Sequence, residues 1–546
     1  MRILRHLDIP LDGLLRRAAT RFGDRPAVTT GPDTVTFGAL DERADTVAHR
    51  VHHALARTDT ATAVALACTL DSAFCALYFG VLRSGRPLAL LDPAAGSAAA
   101  RELCAATGVQ IAFVPGALAR RLLAQEHGPH GQPPGPHTVV VTDNDAGPAP
   151  RTATAPATGP GPGPGPGSGA VEVISLAAFL SGTTPDHPGT GTGPVGDIDA
   201  VACVQLVPHP ATGLRQLRLT HRNLLANAAQ IAVAHQLDAA STVVHQMPAY
   251  HPALLAAAVH AGAEQVLVND TDPCAGMTVS RSRGATHFYG LSTRLARLAE
   301  DERYTNHGAL RPDRHLRAVL CGGAALEPSA ARRLGDTLRV PVLQGYGVGG
   351  PGSLGALSHV QTPGARPERG AVGAPLPGTE CRVVDPGTRA PLPVWSGGEV
   401  ELRGPQVPPG PAGGWLATGD VGYLDLDNQL HLVRRPGTPF ACGDAVVAPG
   451  VVERALRQDP RVADCTVRQA PDAPHGPAVW AGVVLREAAQ PDKDLPGILQ
   501  DITARANAQL GPGEQIARLE ALGTPAPTAA GTGPPPGLVR QYLAAA

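Results

Sequence analysis

Along the first 125 residues, short apolar runs alternate with longer stretches whose apolar positions recur at helical spacing. Leu11–Phe22 and Phe37–Ala56 have the helical period, and Pro26–Val28 and Thr34–Thr36 between them read as a short strand pair. A second cycle follows. Thr62–Ala67, Pro87–Leu91 and Val109–Val114 are apolar runs of strand length, separated by helical patterns over Ser72–Arg83 and Ala98–Ala106. Strands in regular alternation with helices predict an α/β layer structure with a mainly parallel sheet. The same alternation is read from Ala200 to Val433, beginning with strand Ala200–Val207, helix His221–His235, strand Val243–Met247, helix Pro252–Ala261 and strand Gln265–Val268. Arg434-Arg-Pro-Gly437 then breaks the pattern. Beyond it, helix Val451–Gln458, strands Val462–Arg468 and Val479–Val484, and helix Leu495–Leu510 form a small α+β pattern. The expected organisation is a large multi-layer N-terminal domain, residues 1–434, and a small mobile C-terminal domain, residues 435–546.

Composition changes this picture in one place. Glycine and proline, 64 and 55 of 546 residues, exceed ordinary usage, and they concentrate in residues 144–171. Gly159 to Gly169 alternates Gly and Pro with period two, which excludes a collagen-like repeat and reads as a disordered surface insertion. A net charge of −2 gives no general attraction for nucleic acid or anionic membrane, and 3% aromatic residues are too few for a base-stacking surface. The nine cysteines are dispersed and form no CxxC, as expected for free thiols in a reducing compartment. Met1–Leu15 interrupts its apolar residues with Arg2, Arg5, His6 and Asp8, unlike a signal peptide. A soluble, cytoplasmic protein is expected.

The chemistry-bearing segments come in a recognisable order. They are Phe37-Gly-Ala-Leu40, Gly80-Val-Leu-Arg-Ser-Gly85 leading to Leu91-Asp-Pro93, Thr220-His-Arg-Asn223, Pro248-Ala-Tyr-His251 and Gly322-Gly-Ala-Ala-Leu326. Downstream lie Gln344-Gly-Tyr-Gly347, Val372–Gly378, Gly398–Gly404, Trp415-Leu-Ala-Thr-Gly-Asp420, and then Gly443, Pro449 and Glu453. Together they resemble the adenylate-forming superfamily of acyl-CoA synthetases, fatty acyl-AMP ligases, peptide-synthetase adenylation domains and luciferases. The resemblance implies that fold and ATP-dependent activation of a carboxylic acid, as acyl-AMP and then a thioester on CoA or a carrier protein. It also implies roles for particular residues. Asp420 would accept hydrogen bonds from the ribose hydroxyls of ATP or AMP, Arg435 would be a nearby contact, and Tyr346 would stack on adenine. Tyr250 and His251 would line the acyl pocket.

Three departures from the family pattern bear on activity. The phosphate loop, usually rich in Ser, Thr and Gly and ending near a lysine, corresponds to Pro208-His-Pro-Ala-Thr-Gly213-Leu-Arg215. Pro208 and Pro210 each remove a backbone donor, while Thr212, Gly213 and Arg215 remain as phosphate contacts. Gly349-Gly350 stands where the family carries Thr-Glu, the magnesium-holding glutamate, so the Mg²⁺ site is weakened. Thr532, in Thr528-Ala-Ala-Gly531-Thr532, falls at the catalytic lysine position; the chain's one lysine, Lys493, reads as a solvated surface charge. Losing one preorganised charge contact of this kind costs about 3–4 kcal/mol of barrier.

Other chemistries find less support. His127 and His130 lie in a Gly/Pro loop with no third ligand, so no metal centre is assigned. There is no G-x-S-x-G elbow, and no dinucleotide fingerprint is assigned at Gly345–Gly350. Two readings of function stand. One is a divergent ligase of impaired activity; the other is a non-catalytic member that binds an acyl group, a nucleotide or a partner in a biosynthetic pathway.

Overall fold

A computed structural model describes residues 9–123, 136–143, 171–181, 197–209, 213–305, 315–323, 326–348, 354–358, 371–408, 413–433, 440–442, 445–447, 449–470, 478–486 and 495–521. The expected insertion lies almost wholly outside them, in 144–170. The proposed domain boundary at 434/435 also lies outside them.

Three sheets build the large domain. A seven-stranded sheet runs, in spatial order, 172–175, 138–141, 111–114, 64–67, 88–91, 201–209 and 213–220, parallel except for its last strand. Val64–Ala67, Leu88–Leu91 and Ile111–Val114 are buried at every position, as strands covered by helices on both faces must be. An eight-stranded sheet has a parallel centre formed by 342–348, 318–322, 287–291, 242–246, 264–267 and 26–30, with antiparallel edge strands 354–358 and 33–36. Helix starts carry the local signals expected of them. Asp71 accepts a hydrogen bond from Phe74 N at 2.7 Å, and Thr36 accepts one from Ala39 N at 3.2 Å.

The third sheet corrects the sequence reading. Among the described residues from 371 to 433 there is no helix; strands 371–373, 430–432, 416–424, 398–403 and 380–384 form an antiparallel sheet. Its strands are short and joined by Gly- and Pro-rich turns, which is hairpin chemistry and not that of a βαβ crossover.

Helix His221–Ala234 brackets this sheet to the rest. Thr220 and Asn223 form a capping box, Thr220 N donating to Asn223 Oδ1 at 3.0 Å and Asn223 N to Thr220 Oγ1 at 3.2 Å. Asn223 Nδ2 also donates to Pro405 O at 2.9 Å, and Gln230 Nε2 donates to Pro377 O at 2.7 Å. One helix face therefore holds two loops of the third sheet. Val400, Leu402, Leu416 and Leu430 accordingly join the main apolar core.

The small C-terminal domain has a core of its own, running from Phe440 and Val447 to Leu510 and Ile516 under the three-stranded sheet 462–470, 478–485, 516–521. Its helix Pro449–Arg457 packs on the hairpin 201–209/213–220, and Arg454 Nη1 pairs with Glu102 Oε2 at 2.6 Å. The closest approach is between backbones. A Cβ added to Gly96 would overlap the carbonyl oxygen of Gln509, and one added to Gly511 would overlap that of Ala94. Arg121 supports this loop, its Nη2 donating to Pro93 O at 2.6 Å, with the half-buried carboxyls of Asp92 and Glu514 nearby.

Candidate nucleotide site

Two bulges bring the nucleotide-site candidates together. In strand Leu416–Leu424, Val421 pairs with Glu399 and Ala417 with Glu401, so Thr418, Gly419 and Asp420 stand opposite Val400 alone. Gly419 sits at φ 81°, a left-handed conformation that glycine adopts without strain. Thr418 anchors the bulge. Its hydroxyl donates to Val400 O at 2.9 Å and accepts from Asp420 N at 3.1 Å. On the other side, strand Val342–Val348 slips register against Leu354–Ser358 between Tyr346 and Gly347. Tyr346 Oη then donates to Asp420 Oδ2 at 2.6 Å, joining the eight-stranded sheet to the antiparallel one. That length is characteristic of a hydroxyl donating to an ionised carboxylate.

Tyr346 is 8% exposed and belongs to the apolar core. Burial and then the Asp420 carboxylate beside it push its hydroxyl well above the ordinary phenol range, so it stays protonated as a donor. Asp420 is half-buried and faces the partner that sequence reasoning assigned to adenine.

The acyl-pocket pair is divided by the structure. Tyr250 is wholly buried: its N donates to Cys68 O at 2.8 Å, its hydroxyl to Gln265 Oε1, and its ring packs on Phe74 and His245. It ties two sheets together as a core residue. His251 is half-buried at the N-cap of helix Pro252–Ala261, where proline at the first turn suits the helix start. Near it lies the buried His245. His245 packs edge-on to Tyr250 and Tyr289, with ring centroids 5.0 and 5.2 Å away, and burial lowers it to about 3.

The phosphate-loop residues are seen in part. His209 pairs with Gly213 and Arg215 with Val207 in the strand ladder. Thr212, Arg435 and Thr532 lie outside the described residues. A metal site fits poorly among those described. The one cluster there with ligand spacing is Asp272, Cys274 and Asp301, and Arg303 already pairs with Asp272 at 2.8 Å and Asp301 at 2.7 Å. A groove of about 570 Å³ lined by Leu495, Leu499, Ala517 and Leu519 belongs to the small domain, on elements that carry neither Tyr346 nor Asp420. No helix among the described residues is long and apolar enough to cross a membrane.

Parallel sheets flanked by helices, an antiparallel third sheet, a small domain with its own core and a Tyr–Asp pair between sheets define a two-domain α/β scaffold. The AMP-binding enzyme family model matches residues 15–185 and 218–410, and the chain belongs to that family. The matched residues leave out 186–217, which contain Pro208–Arg215. A long-chain-fatty-acid–CoA ligase of Bacillus subtilis is 24% identical over 330 residues, 57% of this chain and 56% of that protein. A feruloyl-CoA synthase of a Streptomyces species is 28% identical over 320 residues, 55% of this chain and 62% of that protein. The chain thus spans about half to three-fifths of the length of these relatives. Among solved structures, a double mutant of o-succinylbenzoate CoA synthetase from Bacillus subtilis with a product analogue superposes with TM-score 0.71 at 18% identity, covering 95% of this chain and 96% of that one. An amide bond synthetase from Marinactinospora thermotolerans gives 0.69 at 23% identity, covering 97% and 99%. These likenesses establish the fold.

Proposed function

We propose that this protein binds an adenine nucleotide at Asp420 and activates a carboxylic acid with ATP, at a rate reduced by the residues at three family positions. The observation that carries the reading is the ordered Asp420 carboxylate, set on a three-residue bulge and held by Tyr346. In the reaction a carboxylate oxygen attacks the α-phosphorus of ATP and pyrophosphate leaves. A thiol sulfur then attacks the acyl carbon of the mixed anhydride and AMP leaves. Thr212, Gly213 and Arg215 would meet the phosphates and Arg435 the ribose end, while His251 would border the acyl group and Tyr250 would back it from the core. The relatives' names as CoA ligases support CoA as the thiol, with a carrier protein as the other acceptor. Mg²⁺ would bind chiefly through the nucleotide phosphates, since Gly349-Gly350 offers no carboxylate. Nine free thiols suit the reducing cytoplasm, and a place in secondary metabolism fits the family.

A second reading has its own support. Thr532 and Gly349-Gly350 replace two charged groups of one mechanism, as in a protein kept for binding alone. Calorimetry with AMP and Mg-ATP, then a pyrophosphate-release screen over carboxylic acids, separates the two. Saturable nucleotide binding removed by Asp420→Ala, together with pyrophosphate release, supports the ligase. Binding without release for any acid supports the non-catalytic reading, and no binding of either nucleotide overturns the nucleotide site and leaves a member that binds an acyl group or a partner.

A further inference from the structure

Tyr346 matches a family position whose ring would stack on adenine, yet its placement suits a different task. The residue is buried and belongs to the protein's own core, which leaves little of it for a base. Its hydroxyl points across the gap between two sheets to Asp420 Oδ2, 2.6 Å away. The carboxylate is thereby held from both ends. Thr418 fixes the backbone at Asp420 N, and Tyr346 holds the side chain at Oδ2.

A ribose diol presents two O–H donors at a set spacing, and an aspartate meets both only when one edge of its carboxylate faces them. An ionised carboxylate offers about four lone-pair sites, of which Tyr346 engages one. An aspartate free to rotate would have to lose that freedom on binding, whereas one already clamped does not. We infer that Tyr346 is a positioning residue for the ribose of a bound adenine nucleotide, acting through the Asp420 carboxylate and not through its ring. The inference rests on the nucleotide-binding reading above and adds the group of the nucleotide that Tyr346 governs.

The test is calorimetric affinity for AMP and for 2′,3′-dideoxy-AMP, measured on the wild-type protein, Tyr346→Phe and Asp420→Asn. Phenylalanine keeps the ring and its packing and removes only the hydroxyl. Wild type should prefer AMP, and Tyr346→Phe should lose roughly tenfold in AMP affinity, as expected for one charge-assisted hydrogen bond, with dideoxy-AMP unchanged. Asp420→Asn should erase the same preference, with melting temperatures confirming that both variants fold. If Tyr346→Phe keeps the full preference for AMP, the inference falls while nucleotide binding stands. If it weakens both nucleotides equally, the hydroxyl acts on something other than the ribose, which also overturns it. Failure of the wild-type protein to bind AMP at all would remove the nucleotide reading and the inference with it.

Discussion

Lowering the pH from 7.5 to 5.0 should destabilise this protein through four buried histidines. Burial lowers His221 and His287 to about 4 and His235 and His245 to about 3, from an ordinary value near 6.5. Their contacts explain why the neutral form is kept. His221 Nδ1 accepts Leu11 N at 3.1 Å, which a protonated nitrogen could not do. His235 Nδ1 meets Tyr289 Oη at 2.7 Å, and His287 Nε2 meets His235 O at 2.8 Å. As pH falls through 6.5, the unfolded chain takes up protons that the native protein refuses, so stability is lost, and the loss continues down to the native values near 4 and 3. At pH 5 each histidine has crossed about one and a half units of that window, worth about 2 kcal/mol. This figure holds wherever the native value lies below 5. Four such groups amount to about 8 kcal/mol, comparable with the 5–15 kcal/mol that stabilises a typical fold. Burial raises Asp12, Asp92 and Glu514, and these carboxyls pull the other way at low pH. Urea unfolding at half-unit steps from pH 7.5 to 5.0 gives the proton uptake directly from the slope of stability against pH. The slope should approach four protons, less the carboxyl contribution, and His245→Phe should lower it by about one. Stability that is flat or rises between pH 6.5 and 5.0, or an unchanged slope in His245→Phe, would refute the reasoning.

Other perturbations follow from single contacts. Gly511→Val should force the Ala94 and Gly511 backbones apart and enlarge the radius of gyration in small-angle scattering; unaltered scattering would refute that the contact is rigid. Gly419→Ala, at φ 81°, should cost about 1–2 kcal/mol of stability by chemical denaturation and weaken AMP binding, because a Cβ would strain the bulge carrying Asp420. Thr220→Ala should remove the capping box, costing about 1 kcal/mol, read as a lower urea midpoint at an unchanged slope. Thr532→Lys should raise pyrophosphate release from any accepted acid; a fall would exclude that position as the site of the missing charge.

Helices were legible where a cap and a period coincided. Ser72–Arg83 follows Asp71, Pro252–Ala261 begins on proline, and both run over the expected residues. The parallel strands were legible because full burial makes them uninterrupted apolar runs. The antiparallel sheet from 371 to 433 was not, since its strands of three to nine residues carry charged positions such as Glu399, Glu401 and Arg403 between turns. For the site, Asp420 and Tyr346 could be singled out by motif, but their mutual hydrogen bond spans 74 residues of chain, beyond any local pattern. Its orientation depends on two register slips, which composition does not record.

Gly96 and Gly511 are needed for a reason other than backbone freedom. Gly96 has φ −67° and Gly511 is absent from the left-handed glycines, so each position suits any residue locally and is closed only by the neighbouring backbone. For protein engineering this sets a compatibility rule. A small domain grafted from a relative would seat as the native one does only if its loop kept glycine at the position of Gly511. A library that varied the loop after Leu91 would have to hold Gly96 constant while leaving its solvent-facing neighbours open to change.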